Sequence, residues 1–364
     1  VVNHADDPTM SLITRSSDGQ LMFLVNKLSK MKSSTVIGSR IAEVHNGSSL
    51  FTGDAGQGES NIRRWIIEND WLEAIVALPL NIFYNTGIAT YIWVLTNRKP
   101  EHRKGKVQLI DGSAWFTPLR KNLGKKNCEL SWDDIQRILD SYLAFNETEQ
   151  SKIFPNAAFG YHKITVERPL RLKVDLSEST RKAFRKACAQ ANEERLADII
   201  DNLSDKIGPG PHMDYNSFYY QIEKVSHQNG LKLSAKHKKI LLFNLVEKDE
   251  NANPVINKIH KPGKIKADPI FGFFPETVNG VPAVVEYQFD TDLRDTEQVP
   301  LLEDEGITGF FEREVLPHIP DAWIDEAATK VGYEISFTRY FYKPKPMRSI
   351  SEIRADIEAL EKET

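Results

Sequence analysis

Phe83-Tyr-Asn-Thr-Gly87 sets two aromatic rings, an amide and a hydroxyl side by side, between Pro79 and Ile88. The connection is too long for a tight hairpin turn and too aromatic for a solvated linker. On either side lie dense apolar runs, Leu72–Leu78 and Ala89–Leu95, each about one strand long and apolar with almost no alternation. Strands covered on both faces read this way. A polar, aromatic loop held between two buried strands is a good place for chemistry. The residue types alone leave a plainer alternative open, in which Phe83 is core and Asn85-Thr-Gly87 is a turn.

The elements that must position the loop follow from pattern. The two runs lie too close in sequence for a parallel crossover, so they are expected to pair as antiparallel neighbours. Before them, Leu21, Phe23, Leu24, Leu28 and Met31 recur at helical spacing behind Asp18, a plausible N-cap, and Ser39–Val44 reads as a short strand. A second helix is expected over Ser60–Asn69, with Ile62, Trp65 and Ile66 inward and Arg63 and Arg64 outward. A strand at Val107–Ile110 and a helix capped by Ser131 come after. Strand, helix and strand in succession predict an α/β sheet. Phe159–Leu172 alternates like a closing strand. Beyond it, Leu176–Lys206 and Tyr215–Val246 read as charged helices, and Asp249–Lys266 as polar and basic linkers. Phe310–Leu316 reads as a short helix and Lys330–Tyr342 as an aromatic strand. In Ser349–Glu363, Ile350, Ile353, Ile357 and Leu360 step by the three and four residues of a coiled-coil seam. Three regions are therefore expected: 1–172, a mainly helical 173–348, and a terminal helix over 349–364.

Composition narrows the class. The 364 residues are 40% hydrophobic and 27% charged, with a net charge of −4. The surface as a whole is not a magnet for nucleic acid, although a local basic face remains compatible with these figures. Two cysteines cannot build a disulfide framework and suit a reducing cytoplasmic setting. No apolar stretch approaches the roughly 20 residues of a membrane span. The nine scattered histidines and two distant cysteines give no metal-ligand spacing. Thr52-Gly-Asp-Ala-Gly-Gln-Gly-Glu-Ser60 invites a phosphate-loop reading, but Gly58-Glu-Ser60 stands where such a loop needs Gly-Lys-Ser/Thr. A loop before a capped helix is the better expectation. Basic clusters occur at Arg98, Lys99, Arg103 and Lys104, and again at Arg120, Lys121, Lys125 and Lys126. They read as solvated surface or as phosphate contacts beside the loop.

Leu72-Glu-Ala-Ile-Val-Ala-Leu-Pro79, Phe83-Tyr-Asn-Thr-Gly-Ile88 and Thr90-Tyr-Ile-Trp-Val-Leu95 closely resemble late catalytic-domain motifs of a known family. The family is the modification (M) subunits of type I restriction–modification systems, which are adenine-specific DNA methyltransferases. The resemblance continues through Gly19-Gln-Leu-Met-Phe23, Asn46-Gly-Ser-Ser-Leu-Phe-Thr-Gly53, Gly58-Glu-Ser-Asn-Ile-Arg63 and Val166-Glu-Arg-Pro-Leu-Arg-Leu172. It resumes at Asp292-Leu-Arg-Asp-Thr-Glu-Gln-Val-Pro300, Glu314-Val-Leu-Pro-His318 and Lys330-Val-Gly-Tyr-Glu-Ile335. Two earlier family motifs have no counterpart: the glycine-rich loop for S-adenosylmethionine and the Asn-Pro-Pro-Phe tetrapeptide that holds the target amine. The chain thus resembles the C-terminal part of such a subunit, which also accounts for its start at Val1.

The resemblance implies the C-terminal half of a Rossmann-like S-adenosylmethionine-dependent methyltransferase sheet, then a mainly helical assembly region and a terminal helix. It implies a role in methylating the exocyclic amine of adenine in duplex DNA, with catalytic residues and the cofactor loop outside this chain. Phe83 and Tyr84 would stack on the flipped base, and Asn85 and Thr86 would meet its polar edges. Arg98, Lys99, Arg103 and Lys104 are candidates for the DNA backbone. Ile350, Ile353, Ile357 and Leu360 would pack on a specificity (S) subunit. The implied partners are DNA, the S subunit, a restriction (R) subunit and a second M subunit, in a bacterial or archaeal cytoplasm. The alternative is a non-catalytic assembly module that binds the S subunit and DNA.

Overall fold

A computed structural model describes residues 10–278, 280–343 and 349–363. The chain forms two compact units. One comprises Val1–Tyr161, Pro300–Leu302 and Val331–Thr364, the other His162–Val299 and Glu303–Lys330. The expected boundary at Leu172 therefore falls at Tyr161, and the first unit recovers its last part from the far end of the chain.

The first unit runs α1 (Gln20–Leu28), β1 (Arg40–Asn46), the single turn α2 (Ser48–Phe51), α3 (Gly58–Glu68), β2 (Leu72–Ala77) and β3 (Thr90–Thr96). β4 (Lys106–Asp111), β5 (Thr117–Leu123), β6 (Lys126–Glu129), α4 (Trp132–Ala144) and β7 (Ser151–Pro155) follow. Five strands make a sheet in the order β1-β3-β2-β4-β7. β3 is antiparallel to both β1 and β2, as expected for the two apolar runs. β2 and β4 are parallel and β7 is antiparallel to β4, so β1, β2 and β4 all point the same way. Every residue of β2 is buried. α1 turns Leu21, Leu24, Val25 and Leu28 into the core at three- and four-residue spacing, and α3 adds Ile62, Ile66 and Ile67. Ser131 and Asp134 cap α4 reciprocally.

Arg63 departs from expectation. Its side chain is fully buried rather than outward. Nε donates to Tyr333 O at 2.6 Å, Nη1 to Ser49 O at 3.1 Å and Nη2 to Gly53 O at 3.4 Å. Glu59, Ile62, Arg63 and Ile66 share one face of α3, all buried, so helical periodicity wins over charge at this position. Beside it Tyr333 N donates to Ser60 Oγ at 2.9 Å.

The second unit contains β8 (Gly160–Glu167, whose first two residues belong to the first unit) and β9 (Leu172–Val174). Then come α5 (Glu178–Gln190), α6 (Glu194–Ile207), α7 (Tyr215–Gln228), α8 (Ala235–Leu245) and β10 (Val246–Lys248). The four helices enclose a core that includes Phe184, Leu196, Ile200, Phe218, Ile222 and Leu241. The regular elements of the rest are mostly strands, contrary to the expectation of a mainly helical region. β11 (Ile256–His260), β12 (Phe274–Val278) and β13 (Val281–Tyr287) form a sheet in the order β11-β13-β12. Ile256–His260, inside the stretch that reads as linker, is thus a strand, held by pairing such as Ile259 with Val285, while residues 261–266 lie in the turn after it. β14 (Asp295–Pro300), α9 (Gly306–Phe310, continued by a π-turn over Phe311–Val315) and β15 (Trp323–Tyr333) follow, and β14 and β15 flank β8. The expected aromatic strand ends at Tyr333. Phe337–Phe341 is instead the helical turn α10, with Phe337 stacked on Phe341 and edge-on to Tyr91. α11 (Ile350–Glu363) is last.

Two outcomes follow from this packing. Arg63→Leu removes three charge-assisted hydrogen bonds and leaves buried carbonyls unpaired, so urea melts should show a loss of about 3 kcal/mol or more. Arg63→Lys should recover only part, because one ammonium lacks the planar fork that reaches three acceptors. His45, buried on β1 against Trp93, has a pKa below its ordinary 6.5, because desolvation outweighs the pull of Glu43. The unfolded chain then binds a proton that the folded chain refuses. The His45 contribution is complete above pH 6.5 and is lost as pH falls below it. Urea midpoints measured across that range should fall more steeply in the wild type than in His45→Gln.

Candidate functional site

Because β1, β2 and β4 are parallel, their C-terminal ends share one edge of the sheet. Asn46 faces Thr90, while Ala77 faces both Tyr91 and Asp111. In open α/β sheets this is the edge where ligands bind. At the end of β1, Gln20 Nε2 donates to Asn46 Oδ1 at 2.9 Å and Ser48 Oγ at 2.8 Å, and Ser48 Oγ donates to Asp18 at 3.0 Å. Burial pushes the Asp18 carboxyl up, but the hydrogen bonds from Gln20 and Ser48 outweigh it and leave the pKa lowered. The cluster is a closed, anionic network that fixes the turn after β1.

The loop between β2 and β3 leaves from the same edge. Phe83 is 40% and Tyr84 65% exposed, so neither is core. Asn85 is exposed and Thr86 half-buried. Asn81 and Asn85 both sit in the left-handed region, at φ 58° and 57°, which asparagine tolerates better than most side chains. Such backbone persists where neighbours hold it.

The neighbour here is the β5–β6 hairpin. Asn127 N donates to Asn81 O at 3.2 Å, Lys126 Nζ to Ile82 O at 2.9 Å and Cys128 Sγ to Leu80 O at 3.2 Å. Burial raises the Cys128 pKa, which keeps the thiol protonated as that donor. At the hairpin turn Gly124 has φ +61°, and a Cβ there would lie 2.4 Å from Asn85 Oδ1 and 3.1 Å from Tyr84 Cε2. Turn and loop therefore touch, backbone against side chain. Charge alone marks Arg120–Lys126 as a basic cluster. The signal for a hairpin was Gly124-Lys125 between strand-like segments, a two-residue turn with glycine where φ is positive.

The four basic candidates at 98–104 are not part of this edge. They follow β3 and precede β4, at the opposite end of both strands, roughly 20 Å away by strand length. Two of them are framework. The Lys99 side chain is buried, with Nζ 2.5 Å from Asp70 Oδ1 and 2.7 Å from Lys106 O. Arg103 is buried between the rings of Tyr142 and Phe145, 4.3 and 4.2 Å from their centroids, and donates to Gln108 Oε1 at 3.1 Å. Neither cation is presented to a phosphate. Arg98 and Lys104 are exposed, and Lys104 pairs with Glu101 at 2.7 Å.

The 52–60 loop is packed, which favours the plainer expectation. A Cβ on Gly58 would fall 1.8 Å from Ile13 O, and the space beside Gly53 is taken by Glu59. Glu59 accepts from Arg15 N at 3.1 Å. At Gly53 and Gly58 the space an anion would use is taken by neighbouring protein atoms. On α11, Ile350, Ile353, Ile357 and Leu360 are 85, 45, 52 and 65% exposed.

Comparison with known proteins agrees with the resemblance. Residues 4–160 match the N-6 DNA Methylase family. The type I restriction enzyme MjaIX methylase subunit of Methanocaldococcus jannaschii is 35% identical over 95 residues, 26% of this chain and 16% of the relative. The MjaVIII methylase subunit of the same organism is 31% identical over 134 residues, 37% of this chain and 21% of the relative. The matched stretches thus span about a fifth or less of these relatives' own lengths. A solved methyltransferase subunit of a type I restriction-modification system from Streptococcus thermophilus is 25% identical. It covers 42% of this chain and 31% of its own, with a TM-score of 0.35. Residues 4–160 thus match the N-6 DNA Methylase family, and these relatives are methylase subunits of type I restriction enzymes.

Proposed function

We propose that this chain is the C-terminal part of the M subunit of a type I restriction–modification system, and that it supplies one wall of the pocket for a flipped adenine. The observation that carries this is the loop at the C-terminal edge of the sheet. Its Phe83 and Tyr84 are accessible, and its main chain is pinned by β5–β6. The half-sheet of a Rossmann-like methyltransferase finds support in three parallel strands ending at one edge. Ala42 and Val44 lie exposed on β1, at the sheet's margin, where further strands would pair.

The reaction is methylation of the exocyclic amine of adenine in duplex DNA. S-adenosylmethionine supplies the methyl group when bound. The residues here do not by themselves make its site, since the glycine-bearing loop at 52–58 is filled by Glu59 and the Ile13 backbone. What this chain contributes is accommodation of the base. An adenine turned out of the stack loses its neighbours' π-faces, and Phe83 or Tyr84 replaces one of them at about 1–3 kcal/mol. Asn85 and Thr86 offer an amide and a hydroxyl to the ring edge, which orients the amine for in-line attack.

Assembly uses the other end of the chain. The seam of Ile350, Ile353 and Ile357 on α11 is exposed and too short to be stable alone, which suits packing on helices of an S subunit. An R subunit and a second M subunit complete the complex in the cytoplasm of a bacterial or archaeal cell.

Two experiments test these assignments. In the assembled enzyme, Phe83→Ala and Tyr84→Ala should each slow methyl transfer by roughly ten- to a hundredfold with circular dichroism unchanged. Wild-type rates in both would withdraw the pocket. Deleting residues 349–364 should abolish co-purification with the S subunit, and a complex that persists would refute the docking role.

A further inference from the structure

We infer that the β5–β6 hairpin is a phosphate-gripping arm, which holds the DNA backbone beside the base received by the Phe83–Thr86 loop; this rests on the methyltransferase reading above.

Three independent features converge on it. The first is charge. Between Ser113 and Leu130 the chain carries Arg120, Lys121, Lys125 and Lys126 against the single acid Glu129, in a protein whose net charge is −4. Arg120, Lys121 and Lys125 are exposed, and among the described residues no carboxylate pairs with them. Elsewhere cations are neutralised on the spot, as Lys99 is by Asp70 and Arg185 by Asp198 and Asp201. Unpaired cations crowded on one ribbon repel one another, and an anionic polymer relieves that repulsion while releasing its own counterions.

The second is shape. Pro118 pairs with Cys128 and Leu123 with Lys126, so five steps along β5 are matched by only two along β6. The surplus residues, Arg120 and Lys121 among them, bulge out of the ladder, and Lys125 sits at the turn. A bulge of this kind re-aims side chains away from the plane of the ribbon.

The third is position. The arm rises from the sheet edge that bears the loop, through Lys126, Asn127 and Cys128 to Ile82, Asn81 and Leu80, and through Gly124 to Tyr84 and Asn85. Loop and arm are therefore one body. Phosphates held by the arm would fix the register of the strand whose base enters the pocket, without reading sequence.

The test uses the assembled enzyme containing this chain, with a duplex oligonucleotide as probe, and follows affinity as salt is raised. Each lost phosphate contact lowers the slope of log K against log salt by about 0.9. Arg120→Gln/Lys121→Gln/Lys125→Gln should lower it by roughly 2–3 and weaken specific and non-specific duplexes alike, with melting temperature unchanged. Arg98→Gln/Lys104→Gln, at the opposite edge, should leave it unchanged. A triple variant with the wild-type slope, in an enzyme that still methylates, overturns the arm alone. A wild-type assembly that neither binds duplex nor methylates overturns the methyltransferase reading and the arm with it. Gly124→Ala places a methyl group against Asn85 and should lower turnover while keeping the salt slope. Unaltered turnover would refute the coupling of arm to loop.

Discussion

A single buried guanidinium holds the first unit together. Among the described residues no carboxylate pairs with Arg63; its partners are the carbonyls of Ser49, Gly53 and Tyr333, drawn from two segments far apart in sequence. Only a planar fork with five donors reaches all three. Burial lowers its pKa to about 10, against the opposing pull of Tyr161 and Glu334, so the group is still charged at neutral pH. The clamp sets α3 against the end of β1 and seats Tyr333 and Ile335 in the core. Phe337 follows directly and lies edge-on to Tyr91, which pairs with Ala77 where the aromatic loop begins. The candidate pocket thus inherits its position from an ion that never touches it.

The loop itself is held by the β5–β6 hairpin through the carbonyls of Leu80, Asn81 and Ile82 and leaves its rings and short polar groups free. That division suits recognition of a flat, polar-edged molecule. Backbone sites are occupied by protein, so specificity is left to side chains whose rotamers cost little to order. Charge is divided as well. The network of Asp18, Gln20 and Ser48 is closed and inward, while the hairpin cations are open and outward. A protein that is acidic overall can in this way present a positive field over one small region.

Local chemistry made part of this visible beforehand. The two apolar runs, their antiparallel pairing and the cap at Ser131 were legible because each depends on residues near in sequence. Arg63, Lys99 and Arg103 were misplaced for one shared reason. A cation is assigned to solvent by type, yet each of these is kept inside by acceptors that pattern does not reveal, in carbonyls, Asp70 or Glu73. The boundary at Tyr161 was hidden because part of the first unit's core comes from Val331 and Tyr333, partners with no local signature. Within the second unit, β11 is short and polar, with Asn257, Lys258 and His260 among its five residues, and pairing with β13 makes it a strand. The basic segment at 120–126 was seen as charge; its proximity to the aromatic loop is a product of tertiary contact.

The insertion of the second unit between two parts of the first also has a cost in time. Arg63 and Tyr333 are 270 residues apart, and at about 5–20 residues per second a ribosome needs roughly 15–55 s to join them. For that interval α3 exists without the Tyr333 that Arg63 and Ser60 bond in the finished fold, while the helical core of the second unit is already complete in sequence. Nascent chains stalled or truncated before Tyr333 would therefore carry Arg63 without the carbonyl that its Nε reaches in the finished fold.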